Sequence, residues 1–115
     1  MPRKSTKLFH KYYKEWIELY KKDAVRHATL IKYELAHKHV KELCPDLHLH
    51  QIDRKNYQLL LNKFAENHAH ETTLDFHHHL KTCLVDAYED GIIRVNPTRK
   101  AIIKGNQKRK KKKKA

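Results

Sequence analysis

The chain is short of the residues that bend or staple proteins: of 115 residues, 2 are Gly, 3 are Pro and 2 are Cys. So few turn formers argue against a sandwich, a barrel or a disordered chain. With 39% hydrophobic and 34% charged residues, they favour a helical globular domain. Two glycines leave no Gly-rich loop to cradle a phosphate, and neither a nucleophile elbow nor an HExxH zinc motif is present. No apolar run approaches the roughly 18 to 20 residues that cross a bilayer, and the opening MPRKSTKLFHKYY has no apolar signal segment. A soluble, cytoplasmic protein without a membrane partner is expected. Cys44 and Cys83 sit inside apolar helical patterns rather than at metal-ligand spacing, which reads as two buried free thiols in a reducing compartment. This length suits one domain with one modest core.

Acidic residues are absent from both ends, and that absence places the charge. Lys and Arg number 26 against 13 Asp and Glu, a formal net charge of +13. Residues 1–7 hold Arg3, Lys4 and Lys7, and residues 104–115 hold Lys104, Lys108, Arg109 and the run from Lys110 to Lys114. Between residues 8 and 103, fifteen basic residues then face thirteen acidic ones, a net of +2, and without Arg94, Arg99 and Lys100 the body from 8 to 93 carries −1. The expected division is a basic arm over 1–7, a helical domain over 8–103 and a polybasic tail over 104–115. Such a tail is a sequence-independent handle for phosphate or anionic lipid and cannot fold alone, because its charges repel. The plain alternative is a tail that only confers solubility.

Four segments carry helical periodicity. In the first, Phe9, Tyr13, Trp16, Ile17 and Tyr20 recur at spacings of 3 and 4, with Ser5 or Thr6 as the cap. The second runs from about Thr29 to Cys44, with Leu30, Tyr33, Ala36 or His37, Val40 and Leu43 on one side, and stops before Pro45. Residues 46–51 connect to a third helix that Asp53 caps, with Ile52 and Tyr57 as a hydrophobic staple and Leu60, Leu61 and Phe64 buried; it ends near Asn67. Residues 68–71 form the next turn. Thr72 and Asp75 have capping-box spacing for a fourth helix, whose stripe is Phe76, Leu80, Cys83, Leu84 and Ala87 and which Gly91 ends. Beyond it, the pairs Ile92-Ile93 and Ile102-Ile103 flank an Asn96-Pro97 turn, and at least one pair should fold back to close the bundle.

Eleven histidines are the compositional anomaly. Consecutive helical residues point about 100° apart, so His77, His78 and His79 do not converge on one ion. Pairs such as His48 and His50 or His68 and His70 suit weak metal binding at most, so no metal site or cofactor is expected. The simpler reading puts several histidines on exposed helix faces, where a ring donates to a phosphate or a base edge.

Taken in order, FHKYYKEWIELYK, RHATLIKYELAHKHV, LHLHQIDRKNYQLLLNKF, TTLDFHHHLKTCLVDAYEDG and the closing IIRVNP resemble the core-binding domain of phage-type integrases, the N-terminal clamp half of tyrosine recombinases. The resemblance spans residues 8 to about 103. It implies a four-helix, SAM-like bundle on one side of the crossover-site duplex, with a separate catalytic domain of the same parent chain gripping the other. The second and fourth helices would face the DNA, which puts His27, Thr29 and Lys32 and then Thr72, Thr73, His77 and Lys81 forward as contacts. The tail, including Lys108, Arg109 and Lys110, would follow the backbone as the start of the interdomain linker.

The family's tyrosine nucleophile has no counterpart here. Tyr12, Tyr13, Tyr20, Tyr33, Tyr57 and Tyr88 all lie on or beside apolar helical stripes, where a core role is the plain reading. The expectation is therefore a monomeric DNA-binding domain without catalytic residues, either excised from a recombinase or a stand-alone remnant. With so short an N-terminus, an upstream arm-site domain is not expected. Two other classes stay open: a protein-interaction bundle with a solubilising or localising lysine tail, and a metal- or pH-sensing histidine-rich domain.

Overall fold

The computed structural model describes residues 7–105, and these form four helices: α1 (Phe9–Trp16), α2 (His27–Leu43), α3 (Arg54–Ala65) and α4 (His70–Glu89). Among the described residues the extended pairing is one antiparallel bridge, Leu8 to His48, flanked by Phe9 N–H to the Leu47 carbonyl at 2.8 Å and Leu49 N–H to the Lys7 carbonyl at 2.9 Å. The all-α bundle expected from the sequence is the fold, and no helix is long and apolar enough to cross a membrane among these residues.

The apolar stripes set the packing. Phe9, Tyr13 and Trp16 of α1, with Ile17 just after it, meet Tyr33, Ala36 and Val40 of α2, and Tyr57, Leu60, Leu61 and Phe64 of α3 meet Phe76, Leu80, Cys83, Leu84 and Ala87 of α4. Asp53 caps α3 as expected, accepting the Asn56 N–H at 2.8 Å, a contact that contributes about 1 kcal/mol in typical helices. Ile52 and Tyr57 are both buried on either side of that cap. Gly91, at φ 78°, ends α4 in a Schellman turn: Ile92 N–H reaches the Ala87 carbonyl at 2.8 Å and Gly91 N–H reaches Tyr88 at 3.1 Å. The chain then folds back. Ile93 and Pro97 are buried, Ile92 and Ile103 pack on the core, and the Asn96 side chain accepts from Thr98 N–H and Oγ at 3.1 and 2.6 Å to lock the Asn-Pro turn.

Four expectations need correction. Tyr20 is 54% exposed, because the first helix continues from Ile17 to Lys21 as a π-helical turn, closed by Lys22 N–H to the Ile17 carbonyl at 2.9 Å. The wider turn rotates Tyr20 off the apolar stripe. The fourth helix starts three residues early, at His70, with Ala69 at its cap and no side-chain cap bond, so Thr72 and Asp75 form no capping box. The 46–51 connection contains a 3-10 turn, Leu49–Gln51, held by the Gln51 side chain accepting from His48 N–H at 2.9 Å, with Leu49 fully buried. Cys44 is half-buried rather than buried. Ser5 and Thr6 lie outside the described residues, and Leu8 at the cap of α1 makes no side-chain cap bond.

One polar atom is left over in the core. The Tyr13 hydroxyl is buried without a hydrogen-bond partner among the described residues, while its ring lies near Phe9, Trp16 and His37 at centroid distances of 6.1, 6.0 and 6.4 Å. Tyr13→Phe keeps those ring contacts and removes a desolvated hydroxyl, so it should raise stability by about 1 kcal/mol in equilibrium urea unfolding. A loss of stability would show that the hydroxyl is hydrogen-bonded in solution.

Candidate nucleic-acid interface

α2 and α4 run antiparallel, as their ring contacts show. Tyr33 of α2 meets His79 of α4 edge-on at 4.7 Å, and His39, further along α2, meets Phe76, further back along α4, at 6.1 Å. The first turns of α2 therefore lie beside the second half of α4. Lys21, carried inward by the π-helical turn, sits over the rings of Trp16 and Tyr33 at 5.1 and 5.5 Å, and Trp16 donates to the Asp86 carboxylate at 2.9 Å.

The candidate contacts do not form one patch. His27 and Lys32 on α2 and Thr72 and Lys81 on α4 are exposed, and Thr29 is half-exposed. Thr72 and Lys81 are nine residues apart, which is about half a turn out of phase on an α-helix, so they flank the buried stripe on opposite sides. Thr72 lies on the flank of His79, which meets α2. Lys81 lies on the flank of His77, whose Nδ1 is 2.8 Å from the Tyr57 hydroxyl of α3. Of the two flanks, the one that carries Thr72 and His79 is the one that meets Tyr33 of α2. Thr73 and His77 are buried, and the Thr73 hydroxyl donates to the Ala69 carbonyl at 3.0 Å. Both side chains serve the bundle interior rather than its surface. Lys108, Arg109 and Lys110 lie outside the described residues.

Histidine exposure is also more limited than the composition suggests. His27, His50 and His78 are exposed, whereas His10 and His77 are buried and the other six are half-buried. Burial pushes His77 down to about 4, assisted by neighbouring His78 and Lys81, and burial also lowers His10, His37 and His39. The His77 Nδ1 and the Tyr57 hydroxyl share a hydrogen bond at 2.8 Å, and the same hydroxyl lies 3.4 Å from the His77 carbonyl. His79 and His68 donate from Nδ1 to the Asp75 and Phe64 carbonyls at 2.7 and 2.8 Å, since a carbonyl oxygen only accepts, and each keeps Nε2 as a second polar atom. Among the described residues no group of three His, Cys, Asp or Glu side chains is placed to hold a metal ion.

Sequence reading did not single out His79, on the α4 flank that meets Tyr33 of α2. Its signal was the phase it shares with Thr72, seven residues earlier on the same helix. Of the six tyrosines, Tyr13, Tyr33 and Tyr57 are buried and Tyr12 packs against the core, while Tyr20 and Tyr88 reach solvent.

The family model for the phage integrase SAM-like domain matches residues 8–112. The chain belongs to this family. The SAM-like domain is similar to the N-terminal domain of the prophage pi2 protein 01 integrase from Lactococcus lactis, at 35% identity and a TM-score of 0.82 over 86% of this chain and 94% of that one. It is also similar to a phage integrase fragment from Staphylococcus saprophyticus, at 33% identity and a TM-score of 0.70 over 82% of this chain and 86% of that one. No curated protein gave a significant match.

The buried histidines make the stability of the SAM-like domain pH-dependent. His77 titrates near 6.5 when unfolded and near 4 when folded, so the unfolded chain binds the extra proton between these values. Its contribution is complete above about pH 6.5 and is lost as pH falls towards 4, up to about 3 kcal/mol. Urea midpoints measured from pH 7 to pH 4 should fall over this window, and His77→Gln should flatten the curve. A parallel fall in the variant would assign the acid sensitivity to other groups.

Proposed function

We propose that this SAM-like domain binds the recombination core site of a phage or mobile-element integrase, clamping duplex DNA while the catalytic domain of the same parent chain, a tyrosine recombinase, carries out strand transfer. The family match over residues 8–112, with the fold shared by an integrase N-terminal domain, carries this reading. His27, Thr29, Lys32, Thr72 and Lys81 have the exposure that contact requires, and the two lysines suit phosphate positioning. Thr73 and His77 shape α4 from inside. The division into arm, bundle and tail accords with a cationic linker that follows a nearly neutral reader, and a monomeric, cytoplasmic protein suits the role.

A second reading has one specific feature in its favour. Ile31 and Leu35, four residues apart on α2, are 48% and 50% exposed, which suits a partner helix better than a phosphate backbone. It predicts little DNA affinity beyond that of the tail.

Titrating a labelled duplex at two salt concentrations separates the two. The DNA reading expects affinity on the order of micromolar at low salt, falling steeply as salt rises. Lys32→Ala and Lys81→Ala should each weaken binding across sequences and lower the slope of log K against log salt by about one. Salt-independent binding, or none at low salt, would sink the reading. If deletion of residues 104–115 is the sole change with an effect, the bundle does not contact the duplex.

A further inference from the structure

The charge of the folded body is unevenly placed. Residues 8–93 carry −1, and α4 holds Lys81 against Glu71, Asp75, Asp86 and Glu89, so one of the two helices assigned to DNA is net acidic with histidine neutral. The segment after α4 is the opposite: residues 94–105 hold Arg94, Arg99, Lys100 and Lys104 and no acidic residue.

That segment is tied down. The Gln58 side chain on α3 pairs with the backbone of Ile102 as a strand would, accepting from its N–H at 2.9 Å and donating to its carbonyl at 2.8 Å. Arg54, one turn earlier on α3, donates to the Lys100 carbonyl at 3.4 Å. Lys100 takes the left-handed conformation, φ 57°, which is costly for a side chain of its size. Ile103 packs on the core. Gly105 lies against the first residues of α4, so closely that a Cβ would sit 2.3 Å from the His70 nitrogen. The strap therefore crosses α3 and ends at the N-terminus of α4, and the basic run begins from there.

Two cations of α3 lie beside the strap and its own basic residues. Arg54 and Lys55 precede Gln58 by four and three residues, which puts both on the face of α3 that holds the strap. Arg54, Lys55, Arg99, Lys100 and Lys104 are all exposed, and none is joined to a carboxylate among the described residues. The nearest acid in sequence, Asp53, is tied to Asn56 N–H as the helix cap. From Arg99 to Lys104 the chain reaches at most about 18 Å, the rise of about five base steps along a strand.

Building on the DNA-binding reading above, we propose that the strap and the first turn of α3 form a phosphate-binding surface for duplex DNA, made of Arg54, Lys55, Arg99, Lys100 and Lys104. Gln58 and Gly105 are its positioning residues: they hold the strap in place. This surface, rather than the acidic α4, then supplies most of the counterion release of the folded part.

Salt-dependent binding of the full chain to a fluorescein-labelled random-sequence duplex tests this. The triple change Arg54→Ala, Lys100→Gly, Lys104→Ala should lower affinity at least tenfold and reduce the slope of log K against log salt by two to three, about one for each phosphate that is no longer neutralised. Lys100→Gly relieves the left-handed strain, so that single variant should keep its thermal midpoint while binding more weakly, a combination that mere unfolding does not produce. Gln58→Ala leaves the charge unchanged and should still weaken binding several-fold. Removing three charges on the other side of the bundle, Lys11→Ala, Lys14→Ala, Lys22→Ala, should have a much smaller effect. An equal effect there would assign the result to net charge and overturn the proposal, as would an unchanged slope in the triple strap variant. If the unmodified chain fails to bind at low salt, the DNA-binding reading falls with it. If it binds and responds only to Lys32→Ala and Lys81→Ala, the strap surface alone is refuted.

Discussion

The arrangement of the bundle depends on the ring of Phe64. His68 lies parallel to it at 3.9 Å and Phe76 at 4.1 Å, and two parallel rings this close can only occupy opposite faces. His39 meets its edge at 5.1 Å. One aromatic side chain of α3 thus receives α4 on one face, the α3–α4 turn on the other and α2 at the rim. Each such pair contributes about 0.5 to 1.5 kcal/mol beyond its burial. The contact also helps set the antiparallel phase of α2 and α4, in which Tyr33 meets His79 and His39 meets Phe76.

A second constraint is polar. A small glycine-poor domain with eleven histidines cannot keep them all in water while burying enough surface to fold. His77 is drawn inside and satisfied by Tyr57, His10 is buried beside α2, and His39 and His68 become part of the aromatic packing. Burial lowers the pKa of His77, His10 and His39, so the cationic potential at neutral pH rests chiefly on Lys and Arg. Those residues are concentrated at the ends of the chain and on the strap that crosses α3. Fold and charge are therefore largely separate: the bundle is nearly neutral, and the basic residues after α4 lie on a segment that Gln58 ties to α3.

Much of the fold was legible in the sequence. The apolar periodicity marked all four helices, Asp53 and Gly91 marked their ends, and Asn96-Pro97 marked the fold-back, because capping and turn chemistry are local. The misplaced start of α4 has a local cause too: Thr72 and Asp75 look like a capping box, but tertiary packing extends the helix to His70 without any side-chain cap. Tyr20 left the stripe because a π-helical turn breaks the regular period that placed it there. The candidate site was less legible. Lys32, Lys81 and Thr72 were recognisable as exposed helical residues, whereas the phase that separates Lys81 from Thr72 matters only once neighbours cover each flank.

The sequence by itself determined the class of the domain, the number of helices, their apolar faces and the placement of charge, since these rest on periodicity and composition along the chain. Tertiary structure alone decided which histidines and threonines are buried, which flank of α4 meets α2 and how the last basic segment is strapped across α3. Those outcomes depend on desolvation and on contacts between residues far apart in the chain, as between Gln58 and Ile102, and no local pattern encodes them.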